Sequence, residues 1–307
     1  MDWDSPYIED LITAALGEDV GAGDATVAAT VSPTATATAR IVALQDMVCA
    51  GLPLVERILS RLDPDVSVEL QAVDGQCVSR DANLATLNGN AGAILSGEQT
   101  VLNMLSRLSG IATLTREYAE RIVETRAKIR DTRATTPGLR QIEQYAIRLG
   151  GGTHDHAGLF DAIVVTRAHV AAAGGVKVAL DQAHSHASRL MHPLALSAYE
   201  ATGTMPAEME ASSLSIQIEV GSEAELREAL SAGAESILLR EMTAGKTGEL
   251  VQVARALRAD RVIEYCGDIS VVDAIAYAET GVDYLAPRAL TAAVPWARLR
   301  LLVDRFE

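Results

Sequence analysis

Charged and nucleophilic residues gather at the ends of short apolar runs in the second half of the chain. Asp131-Thr132-Arg133, Thr166-Arg167-Ala168-His169, Glu219, Arg240-Glu241, Tyr265-Cys266-Gly267-Asp268 and Ala286-Pro287-Arg288 each close a stretch rich in Val, Ile or Leu. Arg133, Arg167, Arg240 and Arg288, with Arg107 upstream, are the residue type that meets carboxylate or phosphate in a two-pronged geometry, so the chemistry this pattern allows is anion binding. Only Lys128, Lys177 and Lys246 are lysines. Arginine is therefore the ordinary cation here, and any single one reads equally well as a solvated loop residue.

The six histidines, His154, His156, His169, His184, His186 and His192, fall in one stretch. His154-x-His156 with His169, and Asp155 or Glu241 as oxygen donor, has the ligand types of a zinc, iron or manganese site. H-x-H alone is a weak signal. The reading adopted is loop histidines, with no metal ligand assigned. Cys266 ends an apolar run as a nucleophile would, but no neighbouring His or Lys lowers its pKa, so it reads as structural. The loop Thr243-Ala244-Gly245-Lys246-Thr247 lacks the first glycine of a phosphate loop. Asp24 and Thr26 in GAGDAT read as a turn and a cap.

The elements that must position these residues follow from apolar spacing. Tyr7, Ile8, Leu11, Ile12, Ala15 and Leu16 share one helical face, ended by Gly17. From Thr34 to about Leu87, short β-type runs alternate with turns around one helical interlude at Leu52 to Leu62, which predicts a small α+β domain. Residues 97–124 carry helical periodicity interrupted at Ser109-Gly110, which predicts two helices in succession. After Lys128 the rhythm is strand then helix, with strands KIRDT, AIVV, SIQIEV, SILL, RVIEY and DYLA. Ala232-Gly233 and Thr280-Gly281 repeat the same passage from helix stop into strand, as in a parallel α/β barrel, and Ser222 with Glu225 spells a capping box. Chemistry in such a barrel sits at the C-terminal strand ends.

With 307 residues, 49% of them hydrophobic, the chain can bury a large core, and disorder is excluded as its main state. A formal charge of −15, from 26 Lys and Arg against 41 Asp and Glu, argues against nucleic acid as a partner. The longest uncharged run, Ala82 to Gly97, is broken by Asn88, Gly89, Asn90 and Ser96, so no membrane span is expected. The acidic opening MDWDSPYIEDL lacks the order of an export signal, and three scattered cysteines encode neither a disulfide framework nor a zinc site. A cytoplasmic location is expected.

GEDVGAGDAT, SRLSGIATLT at 105–114, RDTRATTPGLRQIEQYAIRLGGG at 130–152 and the late ETGVDYL resemble the type II phosphoribosyltransferases, typified by quinolinate phosphoribosyltransferase. The resemblance runs nearly end to end. It implies an N-terminal α+β sandwich domain and an open parallel α/β barrel, here 1–125 with linking helices and 126–307, the last helix packing back on the N-terminal domain. It implies a homodimer in which Arg107 reaches the partner's site, an anionic small-molecule substrate, a magnesium ion, and transfer of ribose 5-phosphate from phosphoribosyl pyrophosphate to quinolinate with release of carbon dioxide.

Residue by residue, the resemblance gives catalytic roles to Glu219, His169 and Arg133. Substrate binding falls to Arg107, Arg133, Thr135, Thr136, His154, Asp155, His156, Arg167, Arg240, Glu241, Gly267, Asp268 and Arg288. Several positions depart from the family pattern. Ala134 and Thr166 replace lysines, Asp155-His156 replaces His-Arg, Arg240 replaces an aspartate beside ribose and magnesium, and Asp268 replaces a phosphate-site glycine. Quinolinate is a dianion, and an unpaired buried carboxylate costs several kcal/mol. A divergent pentosyltransferase is therefore expected, with quinolinate itself a poor acceptor. Two alternatives stand beside it: an enzyme of another class using the histidines around a metal or as acid and base, and a non-catalytic homologue.

Overall fold

A proline that costs no hydrogen bond opens the first helix of the computed structural model, which describes residues 1–154, 156–187 and 214–307. Helix α1 (Pro6–Asp19) buries Ile8 and Ile12 and runs past Gly17. Helix α2 (Ala25–Thr30) starts at Asp24, whose carboxylate accepts from the N–H groups of Thr26 (2.8 Å) and Val27 (3.0 Å). The cap read in GAGDAT is thus present, and these bonds hold the Asp24 carboxyl below its ordinary pKa. Then come β1 (Thr36–Ala43), β2 (Met47–Val48), α3 (Pro53–Leu62), β3 (Ser67–Leu70), β4 (Cys77–Val78) and β5 (Asn83–Asn90).

Helix α4 (Ala91–Arg121) is one helix of 31 residues, not the two expected. Ser109 and Gly110 serve packing instead of a break. The Ser109 hydroxyl accepts from the N–H of Ala50 at 3.1 Å, and a Cβ at Gly110 would overlap the carbonyl oxygen of Pro295. The glycine permits a close backbone approach, and its helix-weakening cost of about 1 kcal/mol is too small to interrupt so long a helix.

The second half alternates as expected: β6 (Lys128–Ile129), α5 (Arg140–Leu149), β7 (Ala162–Val165), α6 (Arg167–Ala173), α7 (Val176–Ala187), β8 (Ser215–Val220), α8 (Glu223–Ser231), β9 (Ser236–Arg240), α9 (Ala244–Leu257), β10 (Val262–Gly267), α10 (Ala274–Ala278), β11 (Tyr284–Pro287), α11 (Ala289–Ala292) and β12 (Leu299–Phe306). Ser222 caps α8 by accepting from the Glu225 N–H at 3.2 Å. The Glu225 carboxylate returns to the N–H of Gly221 (2.7 Å), one residue before the cap.

Two units result, each discontinuous in sequence. Met1–Glu117, Thr135–Gly152 and Leu290–Glu307 make the first; Tyr118–Ala134 and Thr153–Ala289 make the second. The first is an α+β unit around the antiparallel sheet β12-β1-β5-β3. Its closing strand is a correction, because the chain was expected to end in a helix. β12 pairs with β1 from Ala37↔Phe306 to Ala43↔Leu299. The partly buried edge of β1 needs a hydrogen-bonding partner, and the side chains of Arg40 and Asp304 lock the pairing through two bonds of 2.7 Å.

The second unit is an open parallel α/β barrel with strand order β6-β11-β10-β9-β8-β7. Ile129, Ile218, Ile237, Leu239, Ile263 and Leu285 are buried along it. Thr153 extends the β6 edge by a parallel bridge to Arg130. Among the described residues no helix is long and apolar enough to cross a membrane.

Candidate functional site

The C-terminal strand ends of the barrel line two cavities, of about 400 Å³ and about 670 Å³, which share Thr132, Arg133, Arg240 and Cys266. The smaller has apolar walls from Ala162, Ile163, Val164 and Leu238, and Asp131, Gln217, Glu264, His156, Thr166 and His169 also line it. Ala134, Glu241, Tyr265, Gly267, Asp268 and Arg288 line the larger.

Local structure explains how several of these groups are held. Arg240 is the last residue of β9, paired with Cys266 in register. Its guanidinium stays 41% exposed, 4.0 Å from the Glu219 carboxylate. Glu241 then turns the chain with φ of 51°, a left-handed conformation that costs a side-chain-bearing residue roughly 1–2 kcal/mol. The hydroxyls of Tyr265 and Tyr277 both donate to the carbonyl of Met242, at 2.8 and 3.0 Å, and fix this turn. Burial pushes the Tyr265 phenol well above its ordinary pKa. Arg288 donates its backbone N–H to Gly267 at 3.1 Å, while its guanidinium lies 3.8 Å from Asp268.

His169 occupies the first turn of α6 and completes a capping box with Thr166. Its Nδ1 accepts from the Thr166 N–H at 3.1 Å and lies 2.8 Å from the Thr166 hydroxyl. A ring nitrogen that accepts from a peptide N–H carries a lone pair, so the neutral imidazole keeps its proton on Nε2, which becomes its donor. Cys266 is buried, and desolvation, aided by Glu264 and opposed by Arg240 and Arg288, pushes its thiol up to about 11. It is a wall residue, not a thiolate nucleophile. Lys246 pairs with Glu249 at 2.8 Å on the exposed side of α9.

Of the residues singled out by sequence, the smaller cavity gathers Arg133, His156, His169 and Arg240; the larger gathers Arg133, Arg240, Glu241, Gly267, Asp268 and Arg288. Glu219 lines neither cavity. Arg167 is exposed, its guanidinium near the backbone of Gly221; His154 is exposed outside both. Asp155 and His192 lie outside the described residues. Arg107, Thr135 and Thr136 belong to the first unit. There the Arg107 guanidinium donates to Glu143 (2.8 and 2.5 Å), the Thr136 hydroxyl (2.7 Å) and the Thr291 carbonyl (3.1 Å). The Thr135 hydroxyl accepts from Arg140 at 3.1 Å.

Among the described residues no three or more His, Cys, Asp or Glu are grouped to hold a metal ion. His154, His156 and His169 are thus not assembled into the transition-metal site weighed from their spacing. Nor do the strand ends fit the magnesium that the resemblance implies: Glu219 faces Arg240, and Asp268 faces Arg288. Mg²⁺ takes hard oxygen donors, and guanidinium groups beside those carboxylates compete for them.

Sequence reasoning passed over a buried polar network inside the barrel. Arg130 pairs with Glu264 at 2.9 Å and stacks over the Tyr284 ring, while the Gln217 amide donates to Glu264 at 3.2 Å. The signal was present as a Gln and a Glu in the middle of SIQIEV and VIEYCG, polar letters where a buried strand expects apolar ones.

A parallel α/β barrel whose strand ends bring arginines to two joined cavities defines an enzyme that handles small anions. Family models place it further. The quinolinate phosphoribosyl transferase N-terminal domain matches residues 24–109, and the C-terminal domain of the same family matches 111–205 and 192–302. A probable nicotinate-nucleotide pyrophosphorylase (carboxylating) of Synechocystis sp. is 35% identical over 290 residues, covering 94% of this chain and 90% of that protein. The nicotinate-nucleotide pyrophosphorylase (carboxylating) of Mycobacterium leprae is 35% identical over 289 residues, covering 93% of each chain. Among solved structures, NadC from Streptococcus pyogenes superposes with a TM-score of 0.83 at 28% identity, over 99% of this chain and 98% of that one. The chain belongs to the quinolinate phosphoribosyltransferase family.

Proposed function

We propose that this protein is a pentosyltransferase that moves ribose 5-phosphate from phosphoribosyl pyrophosphate to a small acceptor, and that quinolinate is not its working acceptor. The observation that carries the donor side is the convergence of Arg133, Arg240 and Arg288 on the larger cavity. Arg133 makes no hydrogen bond or ion pair among the described residues, and the other two reach carboxylates only at 4.0 and 3.8 Å. Guanidinium groups held this loosely can turn to a diphosphate without breaking a close pair. Glu219 lines neither cavity itself but lies 4.0 Å from the Arg240 guanidinium, and this reading sets its carboxylate against the positive charge that develops on the ribose. Rate enhancement then comes from positioning and electrostatics. A homodimer belongs to this reading; Arg107, which the resemblance directs at the partner's site, would have to leave its clamp of bonds to Glu143 and Thr136 to reach it.

The acceptor side rests on charge. The smaller cavity offers Arg133 and Arg240, both shared with the donor side, against Asp131 and Glu264. His156 and Thr166 line it where the family pattern carries cations. Ala134, where the family pattern also carries a lysine, lines the larger cavity. A dianionic ring placed here would leave a carboxylate without a cation, a cost of several kcal/mol.

The test is carbon dioxide release from quinolinate and phosphoribosyl pyrophosphate. It is run beside the Ala134→Lys, Asp155→His, His156→Arg, Thr166→Lys variant, with thermal shift against phosphoribosyl pyrophosphate as the binding arm. A shift with the donor and no useful turnover of quinolinate is expected. Robust turnover by the unmodified protein overturns the acceptor reading, and the absence of any shift with a phosphorylated sugar overturns the transferase.

A further inference from the structure

We propose that this chain binds the donor's diphosphate without a protein-held divalent cation, the guanidinium of Arg240 taking the metal's place. The inference rests on the transferase reading above, because it assigns the donor to the larger cavity.

Arg240 stands where the two cavities meet, on the wall they share with Arg133. A metal that bridges phosphate to protein needs carboxylate oxygens free to coordinate it, and Mg²⁺ in particular demands a near-octahedral oxygen shell. Among the described residues the carboxylates near this wall each have a neighbour, beginning with Asp131, which is buried and engaged in the lining of the smaller cavity. Glu219 lies 4.0 Å from Arg240, Asp268 lies 3.8 Å from Arg288, and Glu264 is buried against Arg130 at 2.9 Å. Glu241 remains, one side chain on a strained turn, and among the described residues it joins no group able to hold an ion. A divalent ion in the larger cavity would also sit beside Arg133, Arg240 and Arg288, three permanent like charges.

The same geometry supplies what the metal would. A guanidinium offers fixed positive charge and paired N–H donors to phosphate oxygens, and it is charged at every working pH. With 41% of its side chain exposed, Arg240 can reach a ligand without unfolding its surroundings.

The experiment is titration calorimetry on the full chain with inorganic pyrophosphate and, separately, phosphoribosyl pyrophosphate, each in excess EDTA and in millimolar magnesium. Wild-type affinity is expected to agree within about threefold between the two buffers, less than the tenfold that marks a real contact. Arg240→Asp is expected to lose at least about tenfold in EDTA and to recover when magnesium is added, since the new carboxylate restores an oxygen donor beside Glu219. Arg240→Gln, which adds no charge, is expected to lose affinity in both buffers; thermal unfolding of each variant checks the fold. Wild-type binding that appears only with magnesium, or strengthens about tenfold or more with it, overturns the proposal. Failure of both probes in both buffers instead removes the donor from the site, and so sinks the transferase reading and this one together.

Discussion

Arg107→Ala strips two donors from a carboxylate that has no access to solvent. Glu143 is 0% exposed and Arg107 15% exposed. In the variant, Glu143 keeps the Thr136 N–H as a donor at 3.0 Å, and the Thr291 carbonyl loses its bond to Arg107 as well. Breaking a buried ion pair from one side costs about 3–5 kcal/mol; the partial exposure of Arg107 lets some water in and places the expected loss near 3 kcal/mol. At roughly 2–4 °C per kcal/mol for a domain of this size, the transition falls by about 6–12 °C. The assay is thermal and urea unfolding of wild type, Arg107→Ala, Glu143→Gln and the double variant at one protein concentration, so that any association is held constant. The double variant removes the stranded charge, while the amide oxygen introduced by Glu143→Gln still offers the Thr136 N–H an acceptor. It is expected to regain about 1–2 kcal/mol relative to Arg107→Ala alone. A loss below about 1 kcal/mol for Arg107→Ala, or strict additivity of the two single changes, would refute the clamp.

Gly110→Ala forces a methyl against the Pro295 carbonyl oxygen and is expected to destabilise by about 1–3 kcal/mol in spite of better helix propensity; a raised Tm would contradict the close approach. Cys266, with its thiol pushed up to about 11, holds almost no thiolate at neutral pH. Its alkylation by iodoacetamide, followed by mass spectrometry, should trail that of exposed Cys77 and climb about tenfold per pH unit until pH approaches its pKa; faster labelling than Cys77 at pH 7 would contradict its burial. Protein purified without a histidine tag is expected to carry far less than one equivalent of transition metal by elemental analysis, a stoichiometric reading being evidence for the histidine site after all.

What could be read from residues alone was what depends on neighbours in sequence. The six barrel strands, the Asp24 cap and the α3 interlude all follow from local periodicity and side-chain-to-backbone bonds. Helix α4 and strand β12 did not, because each is decided by a segment far along the chain: Gly110 by Pro295, and β12 by β1. The site shows the same divide. Arg133, Arg240, Glu241, Asp268 and Arg288 could be gathered in advance by the rule that barrel chemistry sits at strand ends. That rule carries no information on which way a strand end leans, so Arg167 and His154 were grouped with residues they do not join. The interior pair of Arg130 and Glu264 sits below the strand ends, where the rule does not look.

The pairing of β1 with β12 sets a schedule for synthesis. Arg40 and its partner Asp304 are separated by 264 residues. At about 5–20 residues per second, a ribosome needs roughly 13–53 s to deliver the second after the first. Through that interval β1 has β5 on one flank and an open edge on the other, the kind of unpaired backbone that recruits foreign strands. The barrel strands β6 to β11 all emerge before the first sheet is closed, so the sheet begun by β1 is completed only after them. Fast translation or a holding chaperone therefore protects this protein most at its beginning, and a stall anywhere before residue 299 leaves a nascent chain with an unsealed seam.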